Sequence, residues 1–395
     1  MQIGLVGKAN CGKSTFFKSA TLADVEIGNR PFVTLKPNTG VAYVKVDCVD
    51  KEFNVKCNPR TGFCLNNKRF VPVKLIDVPG LIKDAHLGAG LGMEFLDDLR
   101  EADVLIHVVD ISGGTDEKGE VCKPLSHDPA RDIEFLENEI DMWYFGILKK
   151  GWAKLSRQIS QENLEIKKVL GQQLSGLHVN EEMVQDSLKE LKLTHKVMEW
   201  SDDDVKALAT SLRKKTKPMI IAANKIDVEG AEYEFEKVKN RFKDLMIIPC
   251  SAEVELTLRE AAKHNLIEYI PGDNKFKIIG NLNEKQKKAL EFVEDFLKKF
   301  KNTGVQEVLD RAVFDLLKYI AIFPGGVNNL FDKNGRCLPD CFLMREGSTA
   351  LDFAYKIHQD IGNNFIKAID VRTKRAVGKD YKLKQRDVIE IKTKN

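Results

Sequence analysis

Short apolar runs, each bounded by polar residues, recur along the first third of the chain and again after residue 216. Each run has the length of one buried β-strand, and helical stretches lie between the runs. This alternation predicts an α/β fold: a doubly wound, mostly parallel sheet whose ligand lies at the carboxyl ends of its strands. The predicted strands are residues 3–6, 73–77, 104–110, 219–223 and 246–249.

Residues 131–216 interrupt this pattern. Apolar residues follow the three-and-four spacing of a helix face, with a one-residue slip between Ile147 and Leu148, and a return stripe begins at Val184. We predict an inserted helical, coiled-coil hairpin that turns within residues 171–180 and presents a surface to a partner. The alternative is that these apolar positions pack on the sheet. With the insertion, the predicted sheet domain covers residues 1–280.

The last 115 residues read as a connector followed by a small domain. Residues 281–324 are predicted to form a charged helical connector, and residues 325–395 a separate module. Ser348 and Thr349 suit a helix N-cap, residues 350–358 the helix, and residues 388–391 a closing strand. Residues 341–395 contain 12 Lys and Arg against 7 Asp and Glu, an excess that attracts RNA phosphate or merely solvates the surface.

Composition and charge narrow the class of protein. The 395 residues are 43% hydrophobic and 31% charged, which fits a globular protein of two or three domains and excludes collagen and wholesale disorder. Lys and Arg (62) nearly balance Asp and Glu (59), so a basic coat over the whole chain is excluded. Eight scattered cysteines, no membrane-length apolar stretch and no signal-peptide layout predict a soluble cytoplasmic protein without a membrane partner.

The clearest chemical signal follows the first strand. Residues 7–14 read G-x-x-x-x-G-K-S and lie between a strand and a helix, which is the context of a phosphate-binding P-loop. The two glycines let backbone N–H groups converge on phosphate oxygens, and the helix N-terminus adds a favourable dipole. Lys13 would neutralise the β- and γ-phosphates. The predicted nucleotide-binding set here is Gly7, Lys8, Ala9, Asn10, Cys11, Gly12, Lys13, Ser14 and Thr15.

Two further segments supply candidate Mg²⁺ and γ-phosphate contacts. Asp77 ends a strand and begins D-x-x-G, so its carboxylate would hold a magnesium-bound water and Gly80 would offer its N–H to the γ-phosphate. Thr34 lies between the two motifs, where a switch segment must supply a metal ligand. We therefore predict Ser14, Thr34 and Asp77 as the Mg²⁺ site, and Lys13, Thr34 and Gly80 as the catalytic residues.

The choice of base is predicted further along the chain. Residues 224–227 read N-K-x-D after an apolar strand, and the Asp227 carboxylate can accept hydrogen bonds from N1–H and the N2 amino group of guanine. Asn224 would hold neighbouring loops and approach N7, and the Lys225 stem would cover the ring. Ser251 and Ala252 form a turn in which the Ala252 N–H would meet guanine O6. Adenine offers no matching donor pair, so GTP and GDP are the predicted ligands.

Some positions are informative because an expected residue differs. Leu81 follows Gly80 where many small GTPases have a water-orienting glutamine. Asn10 would either help to bind a monovalent cation such as K⁺ or simply tighten the loop. Cys11 is a candidate reactive thiol if its pKa is lowered beside the phosphates. The spacings of Cys57 from Cys64 and of Cys337 from Cys341 fit no strong zinc pattern.

Taken together, these motifs resemble the Obg superfamily of GTPases. The segments PFVTLKPN (31–38) and LGAGLGMEFL (87–96) are similar to its YchF (Obg-like ATPase) subfamily, in a branch found in archaea and fungi, and residues 342–358 resemble the start of a TGS domain. The resemblance implies nucleotide hydrolysis without the glutamine. A typical member lacks the guanine-reading aspartate and prefers ATP, whereas Asp227 is present here, which favours GTP.

The sequence therefore predicts a monomeric GTPase switch that hydrolyses GTP to GDP and phosphate with Mg²⁺. The predicted partner is a ribosome or another RNA-containing particle. Two alternatives remain open at this point: a nucleotide-gated scaffold in which hydrolysis is incidental, and an ATP-preferring Obg-like ATPase.

Overall fold

A computed structural model describes residues 1–21, 39–78, 99–193 and 196–394. The chain forms two compact units, the first of residues 1–17 and 75–253 and the second of residues 18–74 and 254–395. The strands are β1 (Gln2–Val6), β2 (Thr39–Asp47), β3 (Phe63–Leu65), β4 (Lys68–Asp77), β5 (Val104–Asp110), β6 (Met219–Asn224), β7 (Met246–Pro249), β8 (Ile267–Tyr269), β9 (Phe276–Ile278), β10 (Tyr319–Pro324), β11 (Phe342–Arg345), β12 (Phe365–Asp370), β13 (Arg375–Val377) and β14 (Val388–Thr393).

Helices cover more of the described residues than strands do. They are α1 (Lys13–Thr21), α2 (Pro129–Lys149), α3 (Trp152–Gln161), α4 (Ile166–Gln173), α5 (Glu181–Glu190), α6 (Asp202–Thr216), α7 (Ala231–Arg241), α8 (Ala252–Lys263), α9 (Glu284–Phe300), α10 (Val305–Arg311), α11 (Ala350–Ile357) and α12 (Gln359–Asn363). No helix among the described residues combines the length and the apolar character that a membrane crossing requires.

The first unit is built on a parallel sheet. The end of β4 lies beside β1, and β5, β6 and β7 follow in that order. Ile3 pairs with Val104, Leu105 with Met219, and the neighbouring strands run parallel. Every residue of β5 and β6 is buried, as expected for strands covered on both faces. The predicted doubly wound α/β sheet is confirmed, and its parallel strands bring their carboxyl ends to one edge.

Among the described residues, the insertion contains five α-helices rather than one two-helix hairpin. Helices α2 and α6 run antiparallel: Lys149 pairs with Asp202, and Arg213 Nε donates to Asp141 Oδ1 at 2.6 Å. Helix α2 ends at Lys149, and Gly151, whose φ is +84°, precedes the start of α3. The slip at Leu148 therefore marks the end of a helix and not a continuing apolar stripe. Helices α3, α4 and α5 occupy the region where the sequence predicted uninterrupted arms.

The small C-terminal sheet begins earlier than the sequence predicted. Residues 319–324, assigned to the helical connector, form β10, which lies between β11 and β14 in a five-stranded sheet ordered β11-β10-β14-β12-β13. The predicted helix and closing strand are confirmed as α11 and β14. Thr349 caps α11, since its hydroxyl accepts from the Asp352 N–H at 3.2 Å. Ile322 and Phe353 are fully buried in the core of this sheet.

A buried histidine in β5 gives the stability of the protein a specific pH dependence. Burial, with a smaller contribution from the nearby Lys8 charge, lowers the pKa of His107 from 6.5 to about 3. Between these values the unfolded state binds the extra proton, so the free energy of unfolding is expected to fall with decreasing pH, by up to about 1.4 kcal/mol per pH unit. Urea unfolding at pH 7 and pH 5 measures this loss. His107→Leu should lose less stability over that interval, and an identical loss in both proteins would contradict the assignment.

Candidate functional site

The turn after β1 requires glycine at two positions, because neighbouring atoms leave no room there for a Cβ atom. A Cβ atom on Gly7 would lie 2.6 Å from the Val108 carbonyl oxygen, and one on Gly12 would lie 2.1 Å from Asn224 Nδ2. Gly12 also has a φ of +95°, which side chains disfavour. Helix α1 begins at the next residue, Lys13, so this loop and the first helical turn lie at the carboxyl end of β1.

Lys13 and Asp77 place opposite charges at the mouth of this loop. Lys13 Nζ lies 2.5 Å from Asp77 Oδ1, and both side chains are largely buried. Asp77 ends β4, and the Val78 N–H bonds the Leu5 carbonyl oxygen at 3.1 Å, which fixes the carboxylate beside β1. The Ser14 hydroxyl is exposed and has no hydrogen bond among the described residues. The structure therefore brings Lys13 and Asp77 together, with Ser14 next to Lys13 in the first turn of α1.

Asn224 connects the P-loop to the turn after β7. Its Nδ2 donates to the Cys11 carbonyl oxygen at 3.0 Å, and its Oδ1 accepts from the Ala252 N–H at 3.0 Å. Asn224 is 3% exposed, and a buried amide requires such partners. The Ala252 N–H, which the sequence assigned to guanine O6, is thus bonded to Asn224 in this structure. One of the two Asn224 amide N–H groups is bonded to the P-loop, and the other has no hydrogen bond among the described residues.

Lys225 adds a second connection, through an aspartate that the sequence analysis missed. Lys225 Nζ donates to the Asn10 carbonyl oxygen at 2.9 Å and to Asp110 Oδ2 at 2.8 Å. Asp110 is fully buried and also accepts from Ser112 Oγ at 2.5 Å and Thr115 Oγ1 at 3.1 Å. Its position at the end of an apolar strand was the available signal. The ion pair holds the Lys225 stem across the gap between β6 and the P-loop.

Asp227 differs from these tethered residues. It is half-buried, and among the described residues its carboxylate has neither a hydrogen bond nor an ion pair. The turn that carries it is fixed, because the Ile226 N–H bonds the Cys250 carbonyl oxygen at 3.1 Å and the Val228 N–H bonds that of Lys225 at 3.1 Å. Ser251 lies fully buried next to this turn. A rigid turn therefore holds an available carboxylate.

The loop after β5 braces the other side of the P-loop. Asn10, at a φ of +57°, donates from Nδ2 to the Gly119 carbonyl oxygen at 2.9 Å. Lys8 Nζ donates to the Thr115 carbonyl oxygen at 2.8 Å and pairs with Asp132 at 2.7 Å. The Lys8 side chain is therefore bonded to the loop after β5 and to α2, and only the backbone N–H of Lys8 is available to a phosphate. Asn10 does tighten the loop, and its Oδ1 accepts no hydrogen bond among the described residues.

Cys11 is not the activated thiol that the sequence suggested as a candidate. Burial raises its pKa to about 11, outweighing the lowering influence of Lys13. The neutral thiol therefore dominates at pH 8, and iodoacetamide is expected to alkylate Cys11 at least about tenfold more slowly than Cys122, which lies near the surface. Peptide mass spectrometry over a time course measures both rates. Equal rates would show that Cys11 is activated after all.

Three predicted contacts lie outside the described residues. Thr34, Gly80 and the position of the expected glutamine, Leu81, all fall there. Their roles remain predictions from the sequence.

Three protein families match successive parts of the chain. Residues 2–139, which contain the P-loop, match the family described as 50S ribosome-binding GTPase. Residues 222–327, which contain Asn224 and Asp227, match the "Obg-like GTPase YGR210-like, G4 motif-containing domain". Residues 330–393 match the TGS domain. The matches follow the order in which the sequence placed the phosphate, base and C-terminal modules.

Relatives extend over nearly the whole chain. A GTP-binding protein of Methanocaldococcus jannaschii is 48% identical over 392 residues, which is 98% of each chain. The crystal structure of a GTP-binding protein from Pyrococcus horikoshii matches all of both chains with a TM-score of 0.79 at 40% identity. The ribosome-binding ATPase YchF of Buchnera aphidicola is 26% identical over 370 residues, 92% of this chain and 86% of its own. With its P-loop domain, its Obg-like segment and its C-terminal TGS domain, the chain belongs to the YchF/Obg-like GTPase family.

Proposed function

We propose that this protein is a Mg²⁺-dependent GTPase that cleaves GTP to GDP and phosphate. The observation that carries the proposal is the available carboxylate of Asp227, on a turn next to Asn224 and Lys225, both of which are bonded to the P-loop. A carboxylate accepts from N1–H and from the N2 amino group of guanine, whereas adenine presents no such pair of donors. An unmatched base would leave polar groups unpaired, which is a strong basis for discrimination.

The phosphate end follows from the charges and donors of the P-loop. Backbone N–H groups of residues 7–15 would surround the phosphate oxygens, and the Lys13 ammonium would neutralise the β- and γ-phosphates. The hydroxyl of Ser14 and the carboxylate of Asp77 are hard oxygen donors of the kind that Mg²⁺ prefers, with Thr34 proposed as a further ligand. Bound there, Mg²⁺ supplies charge neutralisation between the β- and γ-phosphates.

Catalysis in this proposal depends on positioning and electrostatics. Water attacks the γ-phosphate, and Gly80 would contribute its N–H to the γ-phosphate oxygens. Leu81 cannot orient the water, so hydrolysis by the protein alone is expected to be slow. Because Asn10 Nδ2 is bonded to Gly119, its Oδ1 is left as an acceptor, which supports K⁺ binding beside the phosphates as an additional source of positive charge.

The same proposal makes the protein a nucleotide-dependent switch on a ribosome or another RNA-containing particle. A relative that spans most of the chain is named a ribosome-binding ATPase. Residues 341–395 have 12 basic against 7 acidic residues, which favours contact with RNA phosphate at low ionic strength. In this proposal the nucleotide state decides whether the particle is bound.

Calorimetry with GTP, GDP, ATP and ADP in the presence of Mg²⁺ tests the choice of base. Guanine nucleotides are expected to bind at least about tenfold more tightly than adenine nucleotides, since two charge-assisted hydrogen bonds depend on the base. Equal or tighter binding of ATP would overturn the proposed role of Asp227 in recognising guanine. It would favour the alternative of an ATP-preferring ATPase, and the Buchnera relative is named an ATPase.

Single-turnover hydrolysis in K⁺ and in Na⁺, with and without ribosomal subunits, tests the switch. Acceleration by K⁺ or by subunits, together with nucleotide-dependent cosedimentation, is the expected result. A rate that neither changes, with cosedimentation retained, would favour a nucleotide-gated scaffold in which hydrolysis is incidental.

A further inference from the structure

Three cysteines and one aspartate converge in the second unit, outside the nucleotide site. The ligand atoms of Cys48, Asp50, Cys57 and Cys64 all lie within 4.8 Å of one another. Cys48 and Asp50 are 2% and 3% exposed, and all three cysteines are free thiols. So many ionisable groups in one buried place are costly unless a cation or protons neutralise them.

The local fold explains how residues 16 positions apart come together. Cys48 directly follows β2, and Asp50 lies in the short 3₁₀ turn after it. Cys64 is the middle residue of β3, which pairs antiparallel with β4 through a two-residue turn, Asn66-Asn67, in which both residues have positive φ. Such a turn sets the register of the hairpin. The Cys48 N–H bonds the Asn67 carbonyl oxygen at 2.8 Å, which closes the loop onto the hairpin.

A surrounding set of hydrogen bonds orients the candidate ligands. Asp50 Oδ1 accepts from Asn67 Nδ2 at 3.0 Å and from the Lys51 N–H at 2.8 Å, while Oδ2 faces Cys64 Sγ at 3.7 Å. One carboxylate oxygen is therefore anchored, and the other points into the cluster. Outer hydrogen bonds of this kind are typical of metal-binding carboxylates.

A buried arginine contributes the remaining charge. Arg69 is the cross-strand partner of Cys64 and is fully buried, and its Nη1 donates to Cys57 Sγ at 2.8 Å. The same guanidinium donates to the carbonyl oxygens of Leu338 and Pro339 at 3.0 and 3.1 Å. If the three cysteines were thiolates, they and the Asp50 carboxylate would carry four negative charges, of which Arg69 neutralises one. Adding a divalent cation would reduce the net charge of the cluster to −1, which a buried site tolerates much better than the uncompensated anions.

We propose that Cys48, Asp50, Cys57 and Cys64 bind one structural Zn²⁺ ion. Soft thiolates select Zn²⁺ over Mg²⁺ or Ca²⁺. Tetrahedral coordination with Zn–S bonds of about 2.3 Å separates ligand atoms by about 3.8 Å, which fits the observed spread. By fixing Cys57 and, through it, Arg69, the ion would hold residues 48–69 against residues 338–339. The site is separate from GTP binding and stands or fails independently of it.

The test is the metal content of the full-length chain purified with a thiol reductant and without chelating steps. Inductively coupled plasma mass spectrometry is expected to find about one zinc ion per chain. In Cys57→Ser and in Cys64→Ser the zinc content should fall below about a tenth of an ion per chain. Cys122→Ser, which changes a cysteine far along the chain from this cluster, is the matched control and should keep the full content. Because the cluster variants risk misfolding, the unaltered chain reconstituted with Co²⁺ provides a second measurement: thiolate charge-transfer bands and intense tetrahedral d–d bands are expected.

Several outcomes would overturn the proposal. These are no bound metal and no Co²⁺ bands in the folded, reduced chain, zinc retained in Cys57→Ser, or a disulfide between two of the three cysteines. A lower melting temperature after zinc removal, reversed by zinc but not by Mg²⁺, would support it. Calorimetry of GDP on the same preparations separates this result from the nucleotide proposal.

Discussion

Asp227→Asn is expected to weaken GDP binding by about a hundredfold or more and to create binding of xanthine nucleotides. The asparagine keeps one acceptor for N1–H but turns a donor toward the N2 amino group, so two donors oppose each other. In xanthine an oxygen replaces that amino group, and the amide donor then has a partner. Because Asp227 has no other bond among the described residues, its replacement should leave the turn intact. Calorimetry with GDP and with xanthosine diphosphate measures both changes.

Glu229→Gln is the matched control for this exchange. It neutralises an exposed acid two residues away and should leave the affinity for both nucleotides unchanged. Unchanged GDP binding in Asp227→Asn would show that the carboxylate does not read the base. Weaker binding of GDP and xanthosine diphosphate alike, with a lower melting temperature, would point instead to a disturbed turn.

Gly12→Ala is expected to abolish detectable nucleotide binding and to destabilise the fold by about 2–4 kcal/mol. The added Cβ would fall 2.1 Å from Asn224 Nδ2, and the backbone there has a φ of +95°. The buried amide would have to leave the Cys11 carbonyl oxygen, which releases the P-loop from β6. Urea unfolding and calorimetry with GDP measure the two effects.

Gly146→Ala provides the comparison, because the same methyl group enters open space on an exposed face of α2. It should leave GDP binding unchanged and stabilise the protein by up to about 1 kcal/mol, since alanine favours a helix more than glycine does. Wild-type GDP affinity in Gly12→Ala would mean that the contact between Gly12 and Asn224 does not maintain the phosphate-binding loop.

Some features of the fold and site followed from the sequence because the physics that fixes them is local. The P-loop needs two glycines, a lysine and a serine at set spacing, and strand β5 needs an unbroken apolar run. The helix at Thr349 was predictable for the same reason, since the cap and its partner lie three residues apart. The helical insertion shows where prediction from the sequence stops. Its apolar spacing predicts helix, but only packing decides that one helix ends and the next begins at Gly151.

By itself, then, the sequence determined the alternating α/β fold, the P-loop turn and the N-K-x-D motif, because each is encoded in consecutive residues. Tertiary structure alone decided that Asp110 holds Lys225, that Asn10 is tied to Gly119, and that the Ala252 N–H belongs to Asn224. It also decided that Cys48 joins Asp50, Cys57 and Cys64 in one cluster. Most of these contacts join residues far apart in the chain, and nothing in either partner's neighbourhood identifies the other until the sheet and the hairpin bring them together.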